Sequence, residues 1–360
     1  MIAPRAHIAA LSPYPLAQLH PRAGKPLIPL AQNESLRPPS PAALQAAAQT
    51  LQTGHLYPDP DCTALRQALA DLHSVAMESI LCGAGSMELI AALAQTFAGP
   101  RRAVLAPAHA YPFFRTAAYL AGAPFETASE ENGRVSVDAL LAAAGPNTGL
   151  VFVANPGNPT GTLISRAELA RLREGLPKTV LLVIDEAYGE FADHIDAPLF
   201  DLVARGDTVV LRSFSKAYGL AGFRVGWGVF PPKIAQDLRK VILPNNVTAA
   251  SQAAAHGAVL DQAYMRQTCA LTIALREDLR QRLRAVGFTV GESFTNFLLI
   301  DFQTEGHARS ANETLLAEGI ILRPQGGVGL HASLRVTVGE AKALDHVARV
   351  LSGWHKETPQ

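Results

Sequence analysis

The chain has 360 residues, of which 48% are hydrophobic and 17% charged, with 31 acidic and 31 basic side chains. This length and composition predict a substantial core and leave room for two domains. The balanced charges form no long run, which argues against a nucleic-acid partner. No stretch of about 18 apolar residues occurs, and prolines interrupt the opening segment where a signal peptide needs an apolar core. We therefore expect neither a membrane span nor a secretory leader.

The cysteines Cys62, Cys82 and Cys269 are odd in number and lie far apart in the sequence. Such spacing fits neither a disulfide framework nor a zinc cluster, and the 11 histidines show no ligand spacing. We therefore expect free thiols, no metal site and a reducing, cytoplasmic location.

Helical and strand patterns alternate through the first 250 residues. Helices are predicted over 40–51, with Ser40 as N-cap and Pro41 in the first turn, over 61–73, beginning at Asp61, and over 86–97. Short apolar runs predict strands at 103–106, 149–155, 180–185, 208–213 and 224–230. Continuous apolar strands separated by helices are typical of a parallel sheet covered on both faces, so this region is predicted to be a doubly wound α/β domain.

The pattern changes beyond residue 250. One long helical stretch is predicted over 251–286, followed by the strand-like runs NFLLIDF, IILR and SLRVTV and by two further helices. Fewer and more segregated elements predict a smaller α+β domain. We therefore divide the chain into an N-terminal arm that forms part of the small domain (1–44), a large domain (45–250) and a small C-terminal domain (251–360).

One lysine, Lys216, lies within the apolar and small residues of VLRSFSKAYGLAGFRVGWGV (210–229). A buried ammonium group costs several kcal/mol unless it is paired or loses its proton. Lys216 therefore either reaches solvent or acts chemically as a neutral amine.

Three other segments carry residue types that a reactive lysine would need beside a bound aldehyde with a phosphate group. NPGNPTG (155–161) and VIDEAYGEF (183–191) each follow a predicted strand and bring Asn158 and Asp185 to the sheet edge where α/β proteins bind ligands. GAGSMELI (83–90) is a glycine-rich turn that opens a helix, and its free backbone N–H groups suit a phosphate.

Each of these residues has an ordinary interpretation when it is taken alone. A lysine in a serine-rich turn is usually a solvated surface residue, and Asp185 could simply cap a helix or end a strand. A lone arginine such as Arg224 or Arg335 is more often an ion-pair partner, and Tyr57 or Tyr111 a turn or core aromatic. The joint occurrence of the motifs, in this order, favours a catalytic site.

Together the motifs resemble the fold-type I aminotransferases, which depend on pyridoxal 5'-phosphate (PLP), and within them most closely the histidinol-phosphate aminotransferases. Segments in the family's order run through nearly the whole chain: LSPYPLAQL, LAQNESLRPPSPAAL, YPDPDCTALRQALA, GAGSMELI, NPGNPTG, DEAYGEF, RSFSKAYGLAGFRVG, SFTNFLLI, GIILRP and LRVTVG. The resemblance implies a PLP-binding large domain of mostly parallel sheet, a small α+β domain and a homodimer with shared active sites.

The resemblance also implies roles for individual residues. Lys216 would hold PLP as a Schiff base and then move the substrate proton, Asp185 would pair with the pyridine nitrogen, and Tyr188 would complete the catalytic set with them. The remaining cofactor contacts are Asn158 on the 3'-oxygen with Tyr188, Tyr111 rather than His109 over the ring, and Gly85, Ser86, Met87, Ser213, Ser215, Arg224 and the partner chain's copy of Tyr57 for the phosphate.

Substrate contacts follow from the same resemblance. Arg335 matches the arginine that binds a substrate carboxylate, and Arg323 and Tyr14 match positions that help to bind the substrate phosphate. The implied reaction transfers the amino group of L-histidinol phosphate to 2-oxoglutarate, in the biosynthesis of histidine. Three alternatives remain open at this point: an aromatic or other amino-acid aminotransferase, a threonine-phosphate decarboxylase, and a non-catalytic binding module with the same fold.

Overall fold

A computed structural model gives the fold and describes residues 2–9, 11, 13 and 24–357. The α-helices of this part of the chain are α1 (Ala6–Ala9), α2 (Pro41–Gln49), α3 (Thr63–His73), α4 (Ser86–Phe97), α5 (Pro112–Leu120), α6 (Val137–Ala143), α7 (Arg166–Gly175), α8 (Pro232–Leu238), α9 (Ala249–Leu260), α10 (Gln262–Val286), α11 (Glu305–Ala317) and α12 (Ala341–Glu357). The β-strands are β1 (Ile28–Pro29), β2 (Ile80–Gly83), β3 (Ala103–Pro107), β4 (Phe125–Ala128), β5 (Glu130–Glu131), β6 (Arg134–Val135), β7 (Thr148–Ala154), β8 (Leu181–Asp185), β9 (Thr208–Ser213), β10 (Gly226–Val229), β11 (Thr289–Val290), β12 (Phe297–Asp301), β13 (Ile320–Ile321), β14 (Arg323–Gln325) and β15 (Leu330–Thr337).

The large sheet has seven strands in the order β2-β10-β9-β8-β7-β3-β4. Strands β4, β3, β7, β8 and β9 pair in parallel, whereas β10 runs antiparallel to both of its neighbours. The five strands predicted from apolar runs all lie in this sheet, so the mostly parallel α/β architecture is confirmed. The edge strands β2 and β4 were not predicted.

Both faces of the central strands of the large sheet are buried, which explains why β3, β7 and β8 are apolar at nearly every position. Along β7, Val151 and Val153 pack into one core with helices α2, α3, α6, α7 and α9. The alternate residues Leu150 and Phe152 pack into a second core with α4, α5 and α8. This division follows from the period of two along a strand.

The small sheet is antiparallel, with the order β11-β12-β15-β14. A third core lies against it and contains residues of α10, α11 and α12. The N-terminal segment joins this core through Leu30, and β1 pairs in parallel with β13. Division into an arm, a large domain and a small domain at residues 44 and 250 remains our proposal.

Two helix predictions need correction. Helix α3 begins at Thr63 rather than Asp61, because Asp59 accepts the backbone N–H of Thr63 at 2.7 Å, while Asp61 forms an ion pair with Arg239. The predicted single helix over 251–286 is two helices, α9 and α10, that meet at Asp261. The side chain of Asp261 accepts the N–H of Tyr264 and thereby starts α10. Ser40 and Pro41 begin α2 as predicted.

Among the described residues, no helix is both long and apolar enough to cross a bilayer. The same residues contain no group of three or more His, Cys, Asp or Glu side chains placed to hold a metal ion.

Candidate active site

A cavity of about 570 Å³ opens at the carboxyl ends of the large-sheet strands, beside β14 and β15 of the small sheet. Such sheet edges are where ligands bind in α/β proteins. The predicted site residues that line it are Ser86, Met87, Tyr111, Asn158, Asp185, Tyr188, Ser213, Ser215, Lys216, Arg224, Arg323 and Arg335. Residues distant in the sequence thus converge on one cavity.

Strand β10 brings the glycine-rich turn beside the serine of β9. Gly226 is in register with Gly83 on one side and with Ser213 on the other. A side chain at Gly226 would overlap the backbone nitrogen of Ser86, so only glycine permits this approach. The backbone at the start of α4 and the hydroxyl groups of Ser213 and Ser215, at and just after the end of β9, therefore face the same corner of the cavity.

Arg224 supplies the positive charge at this corner. Its guanidinium occupies the position that a side chain at Gly85 would need, and Gly85 has a φ of +82°, which glycine tolerates. Arg224 also donates to the carbonyl of Ala221 at 3.0 Å and lies 3.5 Å from the hydroxyl of Ser215. An arginine, two serine hydroxyls and a helix N-terminus form a suitable cradle for a phosphate.

The amine of Lys216 lies inside the cavity, against the N-terminal segment. Its Nζ donates to the carbonyl oxygens of Asn33 at 2.9 Å and Gln32 at 3.2 Å. Burial, helped by the positive charge of Arg335, lowers the pKa of Lys216 to about 7. A substantial fraction of this lysine is therefore a neutral amine near pH 7, which is the form that can attack a carbonyl.

Asp185 ends strand β8 and is almost fully buried. One carboxylate oxygen accepts the backbone N–H of Ala187 at 3.1 Å, and the main-chain carbonyl of Asp185 accepts the N–H of Asn155. Burial raises the pKa of Asp185 to about 7 in the absence of a bound cation. A cationic group placed beside it would restore the charged form.

Asn158, Tyr188 and Arg335 form a hydrogen-bonded chain across the cavity. Asn158 donates to the hydroxyl of Tyr188 at 3.3 Å and accepts from Arg335 at 2.6 Å. Arg335 also donates to the carbonyl of Ala31 at 2.9 Å. The chain fixes the orientation of the Asn158 amide, with its nitrogen toward Tyr188 and its oxygen toward Arg335.

Asn33 is a central residue that sequence reasoning missed. Its side chain donates to the hydroxyl of Tyr188 at 2.8 Å, and its backbone N–H donates to the hydroxyl of Thr337 at 2.9 Å. Asn296 donates to the carbonyl of Asn33 at 3.1 Å. With a φ of +54°, Asn33 has a left-handed conformation that asparagine tolerates better than most residues. The sequence signal that could have pointed to Asn33 was its place in the segment LAQNESLRPPSPAAL, one of the segments that carry the family resemblance.

Arg323 and Arg335 lie side by side on the small sheet. They are direct register partners on β14 and β15, and both line the cavity. Opposed residues of an antiparallel pair have Cβ atoms about 5 Å apart, and like charges there repel. Two guanidinium groups at one wall of a cavity favour an anionic occupant.

The remaining predicted residues have different positions. Tyr111 lies at the cavity wall, whereas the ring of His109 contacts the carbonyl of Val328 at 2.7 Å. Tyr57 follows α2 in the chain and is 88% exposed on the surface. Tyr14 lies outside the described residues.

A buried ion network behind the cavity was also missed. Arg212 on β9 donates to Glu186 at 2.9 Å and to both carboxylate oxygens of Asp193, at 2.7 and 2.8 Å. Glu186 directly follows Asp185, so the network anchors the strand end that carries that carboxylate. Glu186 and Asp193 lie far from Arg212 in sequence, so no local pattern could have predicted the pairing.

The sequence model of the family described as aminotransferase class I and II matches residues 25–351 of the chain. The chain belongs to this family. This aminotransferase is accordingly an enzyme that depends on PLP.

Several relatives that match over most of the chain share one enzyme name. Over 320 residues this aminotransferase is 42% identical to the histidinol-phosphate aminotransferase of Ruegeria sp. (strain TM1040), and the alignment covers 89% of this chain and 88% of that protein. Identity is also 42% over 335 residues with the histidinol-phosphate aminotransferase of Rhodospirillum centenum, with 92% of each chain covered. A solved structure of the Sinorhizobium meliloti enzyme of that name, in complex with pyridoxal-5'-phosphate, is 28% identical and has a TM-score of 0.91, covering 98% of this chain and 97% of the other.

The chemistry of the cavity fits PLP. The cofactor has an aldehyde, a ring nitrogen that can be protonated, and a phosphate. The cavity offers the amine of Lys216, the buried carboxylate of Asp185 and the cradle around Arg224. The close approach of Arg224 to Gly85 places positive charge at the glycine turn, where the cradle is formed by backbone.

Proposed function

We propose that this enzyme transfers the amino group of L-histidinol phosphate to 2-oxoglutarate and forms imidazole-acetol phosphate and L-glutamate, a step of histidine biosynthesis. The relatives of that name, at 42% identity over about nine-tenths of the chain, support this assignment. The observation that carries it is the pair of neighbouring arginines, Arg323 and Arg335, at the cavity wall.

The pair suits both substrates of the reaction. L-Histidinol phosphate has a phosphate and no carboxylate, whereas 2-oxoglutarate has two carboxylates and no phosphate. A site that alternates between them needs cations that accept either anion, and the planar guanidinium group binds both. Arg335, held by Asn158 and Ala31, provides the fixed contact. Arg323 stands opposite it and provides the second.

Residues of the large domain would hold the cofactor. The phosphate would bind Arg224, the hydroxyls of Ser213 and Ser215, and the backbone of Gly85, Ser86 and Met87. Asp185 would pair with the ring nitrogen, Asn158 and Tyr188 would hydrogen-bond the 3'-oxygen, and Tyr111 would cover the ring face. When bound, PLP supplies an aldehyde for the amino group and a ring that accepts the electron pair released when the substrate loses a proton.

Lys216 would carry the cofactor and then move the proton. Its pKa of about 7 leaves a useful fraction as neutral amine, so Nζ can accept the proton from the substrate carbon that bears the amino group. The same Nζ can later donate that proton on the other side of the reacting system. Asp185, by remaining charged beside the ring nitrogen, would keep that nitrogen protonated.

We also propose that two chains form a dimer with shared active sites. Tyr57 is 88% exposed, and near it in sequence Leu51 and Leu56 are 74% and 61% exposed. Exposed apolar residues close together in one segment are typical of an interface. In the dimer Tyr57 would reach the phosphate cradle of the partner, and Tyr14 would help to bind the substrate phosphate.

A cytoplasmic location is proposed from the cysteines. Cys62, Cys82 and Cys269 are all buried and free. Unpaired thiols are typical of reducing compartments.

A half-reaction screen tests the substrate. The PLP-loaded enzyme is mixed separately with L-histidinol phosphate, phenylalanine, aspartate and threonine phosphate, and the loss of cofactor absorbance is followed. We expect L-histidinol phosphate to react with the highest kcat/KM and 2-oxoglutarate to restore the original spectrum. Arg323→Gln should raise the KM for L-histidinol phosphate, while Arg309→Gln, on helix α11, serves as the control.

Faster reaction with phenylalanine or aspartate would contradict the proposed substrate and favour another aminotransferase. Release of carbon dioxide from threonine phosphate would favour a decarboxylase. No spectral change with any amine would favour a binding module.

A further inference from the structure

Glu88, the third residue of helix α4, ties the glycine-rich turn to a distant segment of the chain. Its Oε2 accepts the backbone N–H of Ala84 at 2.6 Å and the side-chain amide of Asn246 at 2.5 Å. The two donors are 162 positions apart in sequence, and both donate to this carboxylate. Glu88 is half-buried and lines no part of the cavity.

The turn that Glu88 holds is closely packed. A side chain on Gly83 would lie 3.1 Å from Oε2 of Glu88 and 3.0 Å from Cγ of Leu89. The N–H of Gly85 donates to the carbonyl of Gly83 at 2.7 Å. The Ala84 N–H therefore sets where the following residues, Gly85 and Ser86, present their backbone to the cavity.

The segment on the other side of Glu88 supports the arginine of the same cradle. Asn246 lies just before helix α9, and Ser251 in the first turn of that helix donates to the carbonyl of Phe223 at 2.5 Å. Phe223 directly precedes Arg224. One carboxylate thus connects the turn that offers backbone N–H groups with the helix that supports the arginine turn.

We propose that Glu88 is a positioning residue for the cofactor phosphate: through Ala84 and Asn246 it fixes the two halves of the phosphate cradle relative to each other. This rests on the placement of PLP proposed above. The role needs an oxygen that accepts two hydrogen bonds and does not need a negative charge, which would repel the phosphate. Glutamine therefore satisfies it, and alanine does not.

The test measures the equilibrium dissociation constants of PLP and of pyridoxal, which lacks the phosphate, for the cofactor-free protein. Glu88→Ala should raise the Kd for PLP about tenfold, the size expected when a partly buried donor loses its acceptor. The Kd for pyridoxal should change less than about threefold, and Glu88→Gln should bind PLP as tightly as the parent protein or more tightly.

Two further variants separate this role from a general loss of structure. Asn246→Ala should also weaken PLP binding. The double variant Glu88→Ala/Asn246→Ala should bind PLP about as weakly as the single variant with the higher Kd, because both substitutions remove the same hydrogen-bonded connection. Glu168, also the third residue of its helix, accepts from Arg171 at the surface, so Glu168→Ala should leave PLP binding unchanged.

Three results would overturn the proposal: parental PLP affinity in Glu88→Ala, equal losses for PLP and pyridoxal, or a Glu88→Gln variant as weak as Glu88→Ala. If Glu88→Ala fails to fold, the PLP and pyridoxal affinities of Asn246→Ala decide by the same criteria. The binding assay uses no amino donor, so its outcome is separate from that of the substrate screen.

Discussion

Asp185→Asn should stabilise the cofactor-free protein at pH 8, although it damages the active site. Burial raises the pKa of Asp185 from 3.8 to about 7, so above pH 7 the folded protein holds a carboxylate that water would solvate better in the unfolded chain. A pKa difference of about 3, at 1.36 kcal/mol for each pKa unit, corresponds to a cost of about 4 kcal/mol. Asparagine removes this charge and keeps the oxygen that accepts from Ala187.

The pH dependence has a definite sign. Because the folded-state pKa lies above the unfolded-state value, the cost is absent below about pH 4, grows up to about pH 7 and is constant above it. The advantage of Asp185→Asn should therefore be largest at pH 8 and less than half as large at pH 5. Lys216, with a pKa of about 7, is mostly neutral at pH 8, so the substitution breaks no strong ion pair there.

Urea unfolding of both proteins, free of cofactor and at one protein concentration, measures the effect at the two pH values. Asp71→Asn is the matched control, because Asp71 is exposed and its oxygen accepts from Gln67. With PLP bound as proposed, the order should reverse, since only the parental carboxylate would gain a cationic partner. An Asp185→Asn variant no more stable than its parent at pH 8, or with an equal gain at pH 5, would refute the reasoning.

Four further predictions follow from the site. Lys216→Ala should abolish turnover yet still bind PLP non-covalently; borohydride reduction of the parent, with peptide mapping, should place the cofactor label on Lys216 and on no other lysine. Mixing the Lys216→Ala and Tyr57→Ala variants should recover activity where subunit exchange is proven, because one site of the mixed dimer would have both an intact Lys216 and an intact Tyr57. A mixture no more active than either variant alone would count against shared sites. Asn33→Ala should destabilise the protein by about 1 kcal/mol more than Asn33→Gly in urea unfolding, because glycine tolerates the left-handed φ; equal losses would contradict this. Arg212→Met should cost about 3–5 kcal/mol by the same method, since it strands the buried Glu186, and a loss under 1 kcal/mol would be inconsistent with the network.

The sequence predicted what depends on local pattern. Strands β7, β8 and β9 were found because burial on both faces leaves most of their positions apolar, and Lys216, Asp185 and Asn158 were singled out because each follows or ends such a run. The direction of β10 was not predicted, since a glycine-containing run such as RVGWGVF has the same pattern in either direction. The helix break at Asp261 was missed because helical periodicity continues on both sides of it.

Contacts between distant segments could not be predicted. Asn33 forms hydrogen bonds with Thr337 and Asn296, which are neighbours because β12 and β15 pair in the small sheet. No spacing in the sequence predicts these contacts. Glu88 and Asn246 belong to the same class. The residues proposed to touch the cofactor could be inferred from motifs, whereas those that hold them in place required the fold.

The cofactor-free site combines several charges in arrangements that are unfavourable without a ligand. Burial moves the pKa values of Lys216 and Asp185 toward each other, to about 7, and Arg323 and Arg335 stand opposite each other as like charges. In the proposed complex each arrangement would become favourable. A protonated ring nitrogen would restore the charge of Asp185, an aldehyde would react with the neutral amine of Lys216, and an anion would reduce the repulsion between Arg323 and Arg335. The electrostatic cost of these arrangements would then contribute to binding, so variants that relieve the cost should bind cofactor or substrate less tightly while they unfold less readily.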